Sequence, residues 1–130
     1  MRRIIIDTNF LLIPLQFNVD IFSEFERICN FHYRLCILSE SVRELEGITQ
    51  TQKGKSRKAA AFALKLAKLK KIHIIETEKG YVDSLILETA KKEDIVATQD
   101  AELRRKLAAK GISVIYLRSR QFLEMIERNH

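Results

Sequence analysis

Glycine is scarce in this sequence, four in 130 residues, and none of the four falls in a GxGxxG or Walker pattern. Without a glycine-rich loop to cradle phosphates, binding of a nucleotide cofactor is disfavoured. Cysteine is scarcer still. Cys29 and Cys36 lack the paired spacing of a zinc site and sit among Ile28, Phe31, Leu35 and Ile37, as small core residues of a protein in a reducing compartment do. The three histidines, His32, His73 and His130, are scattered, so no His/Cys zinc cluster is expected. Long apolar runs are missing as well. Ile4-Ile5-Ile6 is cut short by Asp7, and no stretch approaches the roughly 20 apolar residues that a membrane-crossing helix needs. Neither a secretory signal nor a membrane is expected, which points to the cytoplasm.

What is present suits a soluble domain. Hydrophobic residues make up 46% and charged residues 31% of the chain, a balance that argues against long disorder. At 15.2 kDa the chain can bury a core without disulfide staples, so residues 1–130 are expected to form a single domain. Lys and Arg outnumber Asp and Glu by 23 to 17, a formal charge of +6 with a pI near 9.5. That excess favours a polyanionic partner.

Short apolar runs rich in β-branched residues recur at 3–6, 35–38, 72–75, 95–97 and 113–117, and they predict buried strands. Between them, helical periodicity covers about 20–30, 39–46, 56–70, 80–92, 101–110 and 119–128. The polar stretch 47–56 predicts a mobile loop. Alternating strands and helices imply crossover connections, hence a three-layer α/β/α fold with a mostly parallel sheet of about five strands. In such sheets ligands gather at the carboxyl ends of the strands.

Carboxylates stand at those ends. Asp7 follows the first strand directly, where an uncompensated charge suffers desolvation; its alternative role is to cap the next helix. Asp100 repeats the pattern after the strand at 95–97, again with a capping alternative because a helix begins at the next residue. Asp83 falls in the first turn of its helix, beside the apolar stripe of Val82, Leu85 and Ile86; the helix dipole alone accounts for an acid there. Glu44 follows the second strand, and Ser41-x-x-Glu44 has the form of a capping box. On pattern alone, Glu40 and Glu46 compete with it. Clustered carboxylates suit hard divalent cations, Mg2+ or Mn2+, which activate water and neutralise charge on a phosphodiester.

Four segments, Ile5-Ile6-Asp7-Thr8-Asn9-Phe10-Leu11, Ser41-Val42-Arg43-Glu44-Leu45, Tyr81-Val82-Asp83-Ser84-Leu85-Ile86-Leu87 and Ile95-Val96-Ala97-Thr98-Gln99-Asp100-Ala101-Glu102-Leu103-Arg104, together resemble the PIN-domain family. They occur in the family order across almost the whole chain. The resemblance implies that Asp7, Glu44, Asp83 and Asp100 are the acidic metal-binding and catalytic positions, that Asn9 and Thr98 orient the site, and that Glu44 takes precedence over Glu40 and Glu46. It implies a Mg2+- or Mn2+-dependent endoribonuclease acting on RNA, on a fold often found as a homodimer. The chain is most similar to archaeal members related both to VapC toxins and to eukaryotic small-subunit rRNA-processing nucleases. An antitoxin or a ribosome-assembly factor is the implied protein partner. The cysteine-rich zinc module that some processing relatives carry has no counterpart.

Two basic clusters complete the expectation. Lys53, Lys55, Arg57 and Lys58 lie at the expected loop, and Arg104, Arg105 and Lys106 follow Asp100. Both can hold phosphates electrostatically, while Lys65, Lys68, Lys70 and Lys71 read equally well as a solvated helix face. Tyr81 can stack on a base, although an aromatic at a helix start more often belongs to the core. A non-catalytic RNA-binding scaffold is the alternative, usually marked by loss of an acid. A receiver-like regulatory domain fits less well, since Glu44 and Asp83 have no place in its pocket.

Overall fold

In the computed structural model of the protein, residues 1–128 are described; His130 lies outside them. The order is β1 (Arg2–Ile6), a 3-10 turn (Thr8–Leu12), α1 (Ile13–Phe17), α2 (Ile21–Ile28), β2 (Tyr33–Leu38), α3 (Ser39–Thr51) and α4 (Gly54–Leu69). It continues with β3 (His73–Ile75), α5 (Val82–Thr89), β4 (Ile95–Ala97), α6 (Ala101–Ala109), β5 (Ser113–Arg118) and β6 (Phe122–Ile126). The strands form one sheet in the order β3-β2-β1-β4-β5-β6. All pairings are parallel except the antiparallel pair of β5 with β6. The three-layer expectation holds, with six strands rather than five.

Strand alternation builds the two cores. On one face Ile4 and Ile6 join Ile37, Ile95 and Ile115 beneath Phe10, Phe25, Leu45, Ala60 and Ala63. On the other, Ile5 joins Cys36, Leu38, Val96 and Val114 beneath α5 and α6, through Val82, Leu85, Ile86, Leu103 and Leu107. A fully buried isoleucine such as Ile5 stabilises by about 2 kcal/mol relative to an exposed one. Both cysteines are free and buried, as expected, and burial pushes the Cys29 thiol up to about 11. Among the described residues no helix is long and apolar enough to cross a membrane.

Two expectations are corrected. The segment 119–128 is not a helix but a tight turn followed by β6. Its apolar residues, Phe122, Leu123, Met125 and Ile126, also satisfy helical spacing, and the turn carries Ser119 and Arg120 at positive φ instead of the Asn-Gly or Asp-Gly that announces a hairpin. On its outer edge Leu123 donates its N–H to Glu24 (2.8 Å) and accepts from Arg27 (2.9 Å). The expected mobile loop at 47–56 is mostly helical. α3 runs on to Thr51, with Thr49 and Thr51 bonding back to the carbonyls of Glu46 and Gly47, and α4 restarts at Gly54, whose φ of +64° suits glycine. After Asp7 the 3-10 turn and α1 carry the chain away from β1.

Candidate active site

The strand order reverses between β1 and β4, the neighbours that open opposite halves of the sheet. At such a switch point the connections leave in opposite directions and a crevice opens at the carboxyl ends. Asp7 and Thr98 are the first residues beyond those ends. Backbone bonds keep both in the ladder, Asp7 N–H to the Ala97 carbonyl (2.9 Å) and Thr98 N–H to that of Ile115 (3.0 Å).

The side chains join there. Thr98, fully buried, donates its hydroxyl to Asp7 Oδ2 (2.7 Å) and accepts from the Asp100 N–H (3.1 Å). Asp100 also caps α6, accepting from the Leu103 N–H at 3.0 Å, and Asp7 Oδ1 accepts from the Thr8 N–H at 2.8 Å at the head of the 3-10 turn. Capping and clustering are therefore not alternatives: the same carboxylates do both. Glu44 approaches from α3, where its Oε1 accepts from the Thr8 hydroxyl at 2.6 Å. Of its two competitors, Glu40 is tied to Arg43 at 2.9 Å and Glu46 lies in a groove with Leu64, Lys68 and Ile72.

Burial pushes the Asp7 carboxyl above its ordinary value. Hydrogen bonds from Thr98 and Thr8 pull it back, and the negative charges of Asp100 and Glu44 push it up again. Among the described residues none of Asp7, Glu44, Asp83 and Asp100 forms an ion pair.

Asp83 stands apart. It is exposed at the start of α5, not leaning toward the core, and its hydrogen bond is local, to the N–H of Ser84 at 2.9 Å. Tyr81, just before it, is 83% exposed and belongs to no core. Asn9 is exposed. Among the described residues no three His, Cys, Asp or Glu side chains close a ready metal cage.

Lys53, Lys55, Arg57 and Lys58 are exposed at the start of α4. Lys55, Ser56 and Lys58 face Leu15 and Gln16 of α1 across a cleft of about 500 Å³. Arg104 is less free, its guanidinium lying 4.9 Å from the centre of the Tyr116 ring, and Arg105 lies 3.8 Å from Glu102.

Thr8 and Ser41 are polar residues to which the sequence pattern assigned no part in the site. The spacing Ser41-x-x-Glu44 predicted a capping box, yet none forms. α3 begins earlier, at Ser39, and its N-cap is Leu38, which supplies no side-chain cap. The Ser41 hydroxyl instead lies 2.8 Å from that of Thr8.

Comparison with known proteins covers the same ground. Residues 4–120 match the family model described as a PIN-like domain. Ribonuclease VapC4 of Methanocaldococcus jannaschii is 34% identical over 127 residues, spanning 96% of this chain and 97% of its own. Ribonuclease VapC9 of Archaeoglobus fulgidus is 35% identical over 130 residues, spanning 98% and 93%. The solved structure of the PIN domain endonuclease Utp24 superimposes with a TM-score of 0.79 over 98% of this chain and 96% of that one, at 24% identity, a likeness of fold. With its acids on the switch point of such a sheet and the family pattern running from residue 4 to residue 120, the chain belongs to the PIN-like domain family.

Proposed function

We propose that this protein is a divalent-metal-dependent endoribonuclease that uses Asp7, Glu44, Asp83 and Asp100. The observation that carries this is Asp7, an acid desolvated at the switch point with two further carboxylates nearby and no built-in cation. A buried charge is costly without compensation, and the relatives over most of this chain are ribonucleases.

The donor set fits Mg2+ or Mn2+, since Asp7, Glu44 and Asp100 offer hard oxygens only. A closed cage is not required, because Mg2+ keeps several waters and usually takes one or two carboxylates. When bound, such an ion supplies charge neutralisation on the phosphodiester and a more acidic water. The chain's own part is positional. Thr98 and the Thr8 N–H each donate to one oxygen of Asp7, which fixes the orientation of the carboxylate. The α6 cap fixes Asp100. In this reading Asp83 completes the site from α5, and Asn9 borders it from the 3-10 turn.

RNA reaches the acids along Lys53, Lys55, Arg57 and Lys58, whose phosphate contacts carry no sequence choice; Arg104 and Arg105 extend that surface beyond Asp100. A cytoplasmic location accords with the two unpaired cysteines. An antitoxin or a ribosome-assembly factor as protein partner, and a homodimer, rest on the VapC-type resemblance. Incubation of purified protein with single-stranded RNA should give internal cleavage with Mn2+ and none with chelator. Binding without cleavage under both conditions would leave the scaffold reading in its place.

A further inference from the structure

We propose that Thr8 and Ser41 form a positioning clamp, in which Thr8 ties the carboxylate of Glu44 to that of Asp7 and Ser41 holds Thr8 in place. This rests on the proposed nuclease reading but concerns residues outside the acid set. Thr8 bonds to both acids at once, its backbone N–H to Asp7 Oδ1 at 2.8 Å and its hydroxyl to Glu44 Oε1 at 2.6 Å. One rigid, β-branched residue thus sets the spacing between carboxylates that belong to different elements.

The clamp is buried where its targets are not. Thr8 is 4% exposed and Ser41 0%, whereas Glu44 reaches the surface. A buried hydroxyl needs a partner, and Thr8 has one proton and two lone pairs. Its proton belongs on the carboxylate, the stronger acceptor. The Ser41 hydroxyl lies 2.8 Å from the same Thr8 oxygen and braces it from α3. Ser41 and Glu44 lie three residues apart on α3, hence on one face, and that face meets the 3-10 turn.

The consequence is preorganisation. A free glutamate samples many rotamers, and stopping that motion opposes binding. With one oxygen held by Thr8, Glu44 is already placed before any cation or RNA arrives, its second oxygen left for the ligand.

The test compares Thr8→Val, which keeps shape and β-branching but has no hydroxyl, with Thr8→Ser, which restores the donor. Three readouts are needed: Mn2+ affinity of the RNA-free protein from the electron paramagnetic resonance signal of unbound Mn2+, the kcat and KM of RNA cleavage, and the NMR order of the Glu44 side chain without metal. Thr8→Val should weaken Mn2+ binding about tenfold, lower kcat by one to two orders of magnitude with KM nearly unchanged, and loosen Glu44. Thr8→Ser should return each to within about threefold of wild type. Should Thr8→Val fail to fold, Ser41→Ala should shift the same readouts in the same direction by a smaller factor. Wild-type values in Thr8→Val, or in Ser41→Ala where it stands in, would overturn the clamp, as would a Thr8→Ser no better than valine. If wild type cleaves no RNA yet Thr8→Val still loosens Glu44, the nuclease reading falls and the clamp stands.

Discussion

Two aspartates, one half-buried and one buried, mark opposite ends of the β1–β4 pair, and they are kept in opposite ways. Asp94, just before β4, is 2% exposed and receives Arg3 of β1 in a two-pronged contact at 3.1 and 2.7 Å, with the Lys91 N–H at 2.8 Å. Asp7, just after β1, receives one hydroxyl and one amide. Where the sheet needs only to be held together, the chain provides the cation. At the other end it collects further negative charge instead, from Asp100 and Glu44. The first arrangement is complete as folded; the second has no cation among the described residues, and under the proposed function a bound metal would supply it.

The largest expected effect follows from that contrast. Asp7→Asn should lower kcat by about a thousandfold, roughly 4 kcal/mol at 1.36 kcal/mol per decade, while leaving the circular dichroism spectrum intact. An unchanged rate at saturating Mn2+ would erase the distinction between the two ends.

At the opposite end, Arg3→Met should leave activity per folded molecule alone and strand a buried charge. Breaking a buried pair costs about 3–5 kcal/mol, but Arg3 is 30% exposed and solvent screens part of it, so about 2 kcal/mol is expected in urea unfolding. Adding Asp94→Asn should return part of that loss. If Arg3→Met costs nothing, Asp94 is no better compensated than Asp7.

The pH dependence sharpens the comparison in metal-free protein. The Asp7 carboxyl is raised, first by burial. Proton binding therefore favours the folded state, and this contribution is fully present below the ordinary aspartate value, near 3.8, and lost as pH rises through the raised one. Melts of wild type and Asp7→Asn in chelator should diverge in the variant's favour from about pH 4 toward neutral. A constant gap would show that Asp7 titrates as an ordinary surface acid.

The smallest effect concerns cations that meet solvent. Reversing Lys55 and Arg57 to Glu should weaken RNA binding and flatten its dependence on salt. Each lost phosphate contact changes the logarithmic slope by about 0.7 on a single strand, so about 1.4 is expected for both. An unaltered slope would make this stretch a solvated helix start.

Much of this was legible from periodicity. Ile4, Ile5 and Ile6 read as a strand buried on both faces, and they are fully buried in the structure. Asp7 and Asp100 were visible because each acid follows closely on a buried strand, whereas Thr98 was pointed to by the family resemblance. β6 was hidden, since Phe122, Leu123, Met125 and Ile126 serve either period and only pairing with β5 decides between them. The polar tract after Glu46 misled in the other direction: Leu45 and Ile48 pack in the core, and tertiary contact outweighs composition there. Thr8 and Ser41 were invisible for a different reason. A hydroxyl's partner 33 residues away leaves no trace in local pattern.

The central placing of β1 also bears on how the protein is made. Asp7 and Thr98 are 91 residues apart, and at roughly 5–20 residues per second a ribosome takes several seconds to travel between them. Until then β1 has β2 to pair with on one side and nothing on the other, and Asp7 has neither the hydroxyl that steadies it nor Asp100 beside it. A chain interrupted before that point carries Asp7 and Glu44 without Thr98 and Asp100, an incomplete form of the proposed site. The order of strands in the sheet thus leaves the proposed site incomplete until β4 has been made.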